Sequence, residues 1–229
     1  MTSSSSIPFN IFPSSSSSTQ APAPNSKSFS IKTPFSSPTD IWRKPSNPVS
    51  GKEVRTFNAP MFYKKVELKK FKRVRVTIKA GWERLFDQGG LCLVVPGEGI
   101  KESEIHERTL KWIKAGIEFF NSQPFIGHVA CEKWADWSLT QAGITKDGNV
   151  TIEMERDPEG GTLWVYAVSE KGERIPIREV TWVFADENLS ERKEIWVGVY
   201  AATPTVEGRK GEEDGLVVGF EGWELDVDA

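Results

Sequence analysis

Cysteine and histidine are scarce, with two of each among 229 residues. A fold stapled by disulfides is therefore excluded. A chain of this length does not need one, so Cys92 and Cys131 are expected as free thiols in a reducing compartment. His128 has no cysteine or histidine at ligand spacing, which argues against a zinc site. No run of about 18 apolar residues is present to span a bilayer, and the N-terminus lacks both the basic and the apolar stretch of a secretory signal. A formal charge of −3 and a pI near 5.6 give no overall pull toward nucleic acid or an anionic membrane. Also missing are a phosphate-cradling glycine loop, a dinucleotide fingerprint, and a Ser/His/Asp or Cys/His nucleophile arrangement. No internal repeat is visible, which counts against a propeller. The expectation is a cytoplasmic protein that uses no cofactor, no metal, no nucleic acid and no membrane.

What the chain does have is aromatic and aliphatic material: thirteen Phe and nine Trp within a hydrophobic share of 38%. Most of it follows Ser26. Residues 1–26 are dominated by Ser, Pro and Ala, with "IPFNIF" the one apolar island. Such a composition does not offset the entropy of ordering, so residues 1–26 read as a disordered leader and residues 27–229 as one folded domain. No acidic residue precedes Asp40, as in organelle transit peptides, but no Arg precedes Arg43 and no amphipathic helical period is present.

From "SFSIKT" onward the dominant period is two. In "RVRVTIKAGW", Val74, Val76 and Ile78 alternate with charged and hydroxyl side chains, the mark of a half-buried strand. "VTIEMER", "TLWVYAV" and "EIWVGVYAAT" repeat the pattern, with "KDGN", "DPEGG" and "EKGE" between strands as turn signals. "ESEIHERTLKWIK" alone opens like a short helical turn before its strand begins. One-sided strands need a partner layer, so two packed antiparallel sheets are expected, an all-β sandwich.

Five segments in order, "TDIWRKP" (39–45), "FDQGGLCL" (86–93), "WIKAGIEF" (112–119), "ADWS" (135–138) and "VGVYAATP" (197–204), resemble the DUF1349 family. That family is named for a yeast protein called regulation of enolase protein 1, within the concanavalin A-like lectin/glucanase superfamily. The resemblance spans about Ser28 to Asp226. It implies a concanavalin A-like jelly-roll β-sandwich with one concave sheet, and a link to regulation of a glycolytic enzyme such as enolase. The sequence departs from the family pattern at Phe86, where Tyr is usual, and at Gly89, where Ala is usual.

Alternation sorts the candidate site residues. If Leu91, Leu93 and Val95 point to the core, then Gln88, Gly90 and Cys92 point away, with Gln88 available to orient a ligand and Asp87 satisfying turn amides. In "KWIKAGIEFF", Ile113, Ala115, Ile117 and Phe119 form one row and Trp112, Lys114, Gly116 and Glu118 the other. An aromatic plate, an ammonium, a gap and a carboxylate suit a trough for a polar, ring-shaped ligand. The competing reading of the same row is a surface ion pair beside a half-buried Trp. "HVACEKWADWS" adds His128, Trp134 and Asp136, with Ser138 on the same parity as His128 and Asp136.

Two functions follow. The first is non-catalytic binding or regulation, the site (Gln88, Trp112, Lys114, Glu118, His128, Trp134 and Asp136) holding a sugar-like or other polar small molecule or a partner protein, with enolase the partner that the family implies. The alternative is an enzyme, glycosidase-like or transforming a small molecule, with Glu118 and Asp136 as acid and base. Glu153, Glu155 and Asp157 alternate as glucanase carboxylates do, but are read as a solvated outer face. The basic run "YKKVELKKFKRVRVTIK" reads as an outer face too, and Asp226 and Asp228 are too few for a Ca²⁺ site.

Overall fold

The computed structural model describes residues 6–13, 20–97, 110–159, 161–185, 193–205 and 215–228. The described strands are β1 (Asn10–Phe12), β2 (Ser28–Pro34), β3 (Ile41–Lys44), β4 (Val54–Phe57), β5 (Met61–Glu67), β6 (Phe71–Lys79), β7 (Gln88–Val95), β8 (Lys111–Phe120), β9 (Gln123–Cys131), β10 (Ala135–Thr140), β11 (Val150–Arg156), β12 (Leu163–Val168), β13 (Arg174–Val180), β14 (Glu194–Ala202) and β15 (Gly215–Val227). They form a seven-stranded sheet in the order β1-β5-β14-β7-β8-β9-β10, a six-stranded sheet in the order β13-β12-β11-β6-β15-β2, and a separate β3-β4 pair. The pairings are antiparallel, as the short turns between alternating segments require. This is the sandwich of two antiparallel sheets that the period-two pattern predicts, with the jelly-roll form that the family resemblance implies.

The main core lies between the two large sheets. Val74, Val76 and Ile78 meet Leu91, Leu93, Val95, Ile113, Ala115 and Ile117 there, with Ile152 and Met154 alongside. A second apolar cluster covers the other face of the seven-stranded sheet, and the sequence does not announce it. Cys92, Val94, Trp112, Val129, Cys131 and Trp196 rise from that sheet against Ile41 and Phe57 of the β3-β4 hairpin. Arg43 fixes this roof: its Nη2 lies 2.8 Å from the Leu110 carbonyl, 3.0 Å from Cys131 Sγ and 3.1 Å from the Glu132 carbonyl. Charge-assisted bonds of this kind in a buried place are strong. Cys92 and Cys131 are free and buried within this cluster.

The leader is partly built into the sandwich, which corrects the reading of residues 1–26 as disordered. Asn10–Phe12 pairs with β5, Phe9 enters the main core, and Phe12 enters the second cluster. The Pro24 carbonyl accepts a 2.8 Å bond from Lys64 Nζ, whose pKa burial and Lys27 push down to about 8. The apolar island in the leader supplies the burial that its Ser and Pro cannot. Residues 1–5 and 14–19 lie outside the described residues, as do residues 98–109, where the helical turn was expected; from Lys111 onward that segment is strand. Among the described residues, no helix is long and apolar enough to cross a membrane.

Candidate functional site

The β3-β4 hairpin does not cover the whole sheet face. Beside it a cavity of about 450 Å³ remains open. Its walls come from every part of the chain that carries the family resemblance: Asp40, Trp42 and Lys44 from the hairpin, Phe86 and Gln88 at the entry to β7, Lys114 and Glu118 from β8, Trp137 from β10, and Pro204 after β14. On β3, Ile41 and Arg43 turn into the buried cluster, so alternation sends Asp40, Trp42 and Lys44 toward the cavity.

The floor is bare by construction. Gly90, Gly116 and Gly127 are in register across β7, β8 and β9. A Cβ on Gly116 would sit 2.0 Å from the Gly89 carbonyl oxygen, and one on Gly127 would sit 2.6 Å from Glu118 Oε2. Only glycine lets the Glu118 side chain lie across β9.

One end of the floor is a connected polar group. Lys114 Nζ donates to Gln88 Oε1 at 2.6 Å and to Asp40 Oδ1 at 3.4 Å. Tyr200 donates its hydroxyl to Gln88 Oε1 at 3.3 Å, while Gln88 Nε2 donates to the Phe86 carbonyl at 3.2 Å and Asp40 Oδ1 at 3.4 Å. The Phe86 backbone is left-handed, with φ of 66°. That conformation is costly for an aromatic residue and is held by a 2.7 Å bond from its N–H to the Phe119 carbonyl. It sets the carbonyl toward Gln88 and the ring toward the cavity.

The other end is aromatic with one carboxylate. Trp137 Nε1 donates to Glu118 Oε2 at 3.0 Å. The Trp137 ring meets Trp42, Phe86 and Phe120 edge to face, at interplanar angles of 84°, 72° and 88°. Burial raises the pKa of Glu118; the Lys114 ammonium opposes the rise, and Asp40 adds to it.

Sequence alternation places Lys114 and Glu118 on one face with Gln88, but four assignments need correction. Trp112 shares that face yet is only 2% exposed, enclosed beneath the hairpin and away from the cavity. The trough is roofed there, and the position is core. His128 and Asp136 face the opposite way. His128 pairs with Ala115 and Ser138 and lies wholly buried between the sheets, where burial and Arg178 depress its pKa to about 3. Asp136 reaches across the sandwich edge to Arg178 of β13. Glu118 and Asp136 therefore stand on opposite faces of the sheet and cannot share a substrate as acid and base. Trp134 sits in the β9–β10 turn with Arg55 5.8 Å from its ring center and does not line the cavity.

Asp87 plays the turn role expected of it: Oδ2 accepts the Arg84 N–H at 3.1 Å, and its carbonyl accepts the Phe119 N–H at 2.8 Å. Glu153 is not solvated as expected; it is 3% exposed, with Arg73 and Arg174 at 2.9 and 2.7 Å. Asp226 and Asp228 are paired with Arg73 and Lys72. Among the described residues, no group of three His, Cys, Asp or Glu is placed to hold a metal ion.

Missed in the sequence were Asp40, Trp42, Phe86, Trp137 and Tyr200. All lie in the five resemblance segments, so the signal was there at the level of segments. Which side chain of each segment would face the cavity depended on the hairpin.

A jelly-roll β-sandwich with a roofed cavity on the outer face of one sheet is the class this geometry defines. The chain belongs to the DUF1349 family, described as a protein family of unknown function, whose model matches residues 17–227. An uncharacterized protein of Emericella nidulans is 41% identical to it over 180 residues, 79% of each chain. A functionally unknown protein from Saccharomyces cerevisiae superposes with a TM-score of 0.63 at 19% identity, over 89% of each chain. The alginate lyase from Klebsiella pneumoniae superposes at 0.53 with 7% identity, covering 88% of this chain and 82% of that one. At these identities the two structural likenesses speak for the fold.

Proposed function

We propose that the protein is a non-catalytic binding or regulatory protein whose cavity receives a sugar-sized polar ligand. The observation that carries this reading is the pairing, within one cavity of about 450 Å³, of an aromatic wall with a buried chain of donors and acceptors. Small-molecule sites commonly measure about 300–1,000 Å³ and combine apolar walls with a few fixed polar groups. Trp42, Phe86 and Trp137 offer ring faces to the apolar side of a sugar ring, while Asp40, Gln88, Lys114 and Glu118 offer hydroxyl partners. Roofing by the hairpin favors a compact ligand over a long polymer.

A ligand that binds the native state alone raises the melting temperature. A screen of hexoses, phosphosugars and related metabolites by thermal shift is expected to yield a stabilizing compound for the wild type and not for Trp137→Ala. If none of them moves the wild-type transition, the reading falls. The regulatory arm, a link to a glycolytic enzyme such as enolase, rests on the family resemblance. Sedimentation of the two purified proteins together, with and without the sugar that binds, tests it, and two independent boundaries in both conditions would end it.

A further inference from the structure

The cavity holds four charged side chains, and they are not evenly matched. Lys114 and Asp40 face each other at 3.4 Å, and Lys44 is exposed at the mouth. Glu118 is different. It is 8% exposed, its one hydrogen bond comes from the Trp137 indole, and no cation lies within salt-bridge distance of it among the described residues. A carboxylate removed from water without a counter-ion is costly, and a single neutral N–H does not offset the loss.

The surroundings of this carboxylate are selective as well. Trp137 is met edge to face by Trp42 and Phe86, so ring faces are presented to the cavity in different directions. Aromatic faces carry negative quadrupole potential and attract a cation within about 6 Å of the ring center. Negative charge and π faces around one subsite favor a positively charged group, and the protein's nearest cation, the Lys114 ammonium, acts on Glu118 only from beyond salt-bridge distance because Gln88 and Asp40 hold it.

We propose that the Glu118 end of the cavity is an ammonium subsite, so that the ligand carries an amine beside its hydroxyl-bearing ring, as an amino sugar does. This rests on the binding reading above and narrows it. Binding then follows the charge on Glu118. Facing that carboxylate are Asp40 and Lys44 from the hairpin side, Lys114 on its own strand and Tyr200 from β14, with Cys92 of β7 near Lys114 and Tyr200, whereas β9 and β10 contribute the uncharged Val129 and Trp137 to the lining. Burial holds the Tyr200 hydroxyl well above its usual range and the Cys92 thiol up at about 12, so both stay neutral. As Glu118 loses its proton, affinity for a cation rises with pH.

The test uses tetramethylammonium, whose charge does not depend on pH, titrated into the ¹⁵N-labeled full chain at constant ionic strength while the Trp137 indole N–H resonance is followed. Trp137→Phe assigns that resonance by its loss. At about pH 7 the resonance is expected to move saturably; the affinity is expected to drop at least about tenfold in Glu118→Gln and to weaken as pH is lowered to about 4.5. Glutamine keeps the acceptor for the indole, so the variant keeps its fold. No saturable movement at about pH 7, or equal affinity in Glu118→Gln, overturns the subsite. A second titration compares glucose, galactose and mannose with their 2-amino counterparts. If the neutral sugars bind as tightly as the amines, the ammonium subsite is wrong and the sugar cavity stands. If tetramethylammonium binds as expected and no sugar does, the subsite stands and the sugar reading fails.

Discussion

Two glutamates are buried on the outer faces of the two sheets, and they live under opposite conditions. Glu153 on β11 lies among Arg73, Arg75 and Arg174, at 2.9, 3.9 and 2.7 Å. Arg73 also reaches Glu224 and Asp226, and Arg174 stacks 3.9 Å over the Tyr166 ring. Glu118 on β8, buried almost as deeply, has one indole N–H and an adjoining cavity. A fully met buried charge is part of the scaffold; one that is half met beside open space is waiting for a partner. On the proposed binding reading, the contrast separates a structural acid from a ligand-holding one on one fold.

The most damaging change lies beneath Glu118. Gly116→Ala brings a Cβ within 2.0 Å of a backbone oxygen, which cannot rotate away, so a loss of more than about 3 kcal/mol, or no folded protein, is expected from urea denaturation. Glu153→Gln comes next: it leaves three arginines facing a neutral amide, at a cost of about 3 kcal/mol. Arg43→Met unpins the hairpin and leaves buried carbonyls unmet, for about 2 kcal/mol and a larger loss of ligand binding.

Glu118→Gln has the smallest effect and the opposite sign, since it removes an unpaired buried charge; stability is expected to hold or rise by up to about 1 kcal/mol near neutral pH. The pH dependence sharpens it. The folded-state pKa of Glu118 lies above its unfolded value, so the native state holds the proton more tightly. Its contribution to stability is present below the usual glutamate range and declines as pH rises through the raised value. Wild-type minus variant stability, measured by urea denaturation across this window, should fall with rising pH. A loss in Glu118→Gln as large as that in Glu153→Gln would erase the distinction between the two acids.

The sandwich was legible because alternation is a local property. Val74, Val76 and Ile78, or Ile113, Ala115 and Ile117, declare their inward face within a single strand. The same rule put Lys114 and Glu118 together. It could not say what lies above a face, and so Trp112 was read as a wall of an open trough when the hairpin encloses it. Nor could parity alone say that His128 turns into the core and Asp136 toward the sandwich edge, since "HVAC" offers aliphatic or small side chains on both faces. Trp134 and Trp137 are equally attractive by residue type; the register with Val129 decides for Trp137. For Glu153 the deciding arginines come from two other strands, Arg73 and Arg75 from β6 and Arg174 from β13, neither adjacent in the chain to "TIEMER".

The β3-β4 hairpin belongs to neither large sheet, yet it supplies Asp40, Trp42 and Lys44 to the cavity. On the proposed binding reading, selectivity is partly housed in this separate hairpin, while the sandwich below provides a constant seat. On that reading, exchange of this short ribbon alone would let proteins sharing the sandwich accept different guests, with the two packed sheets left untouched.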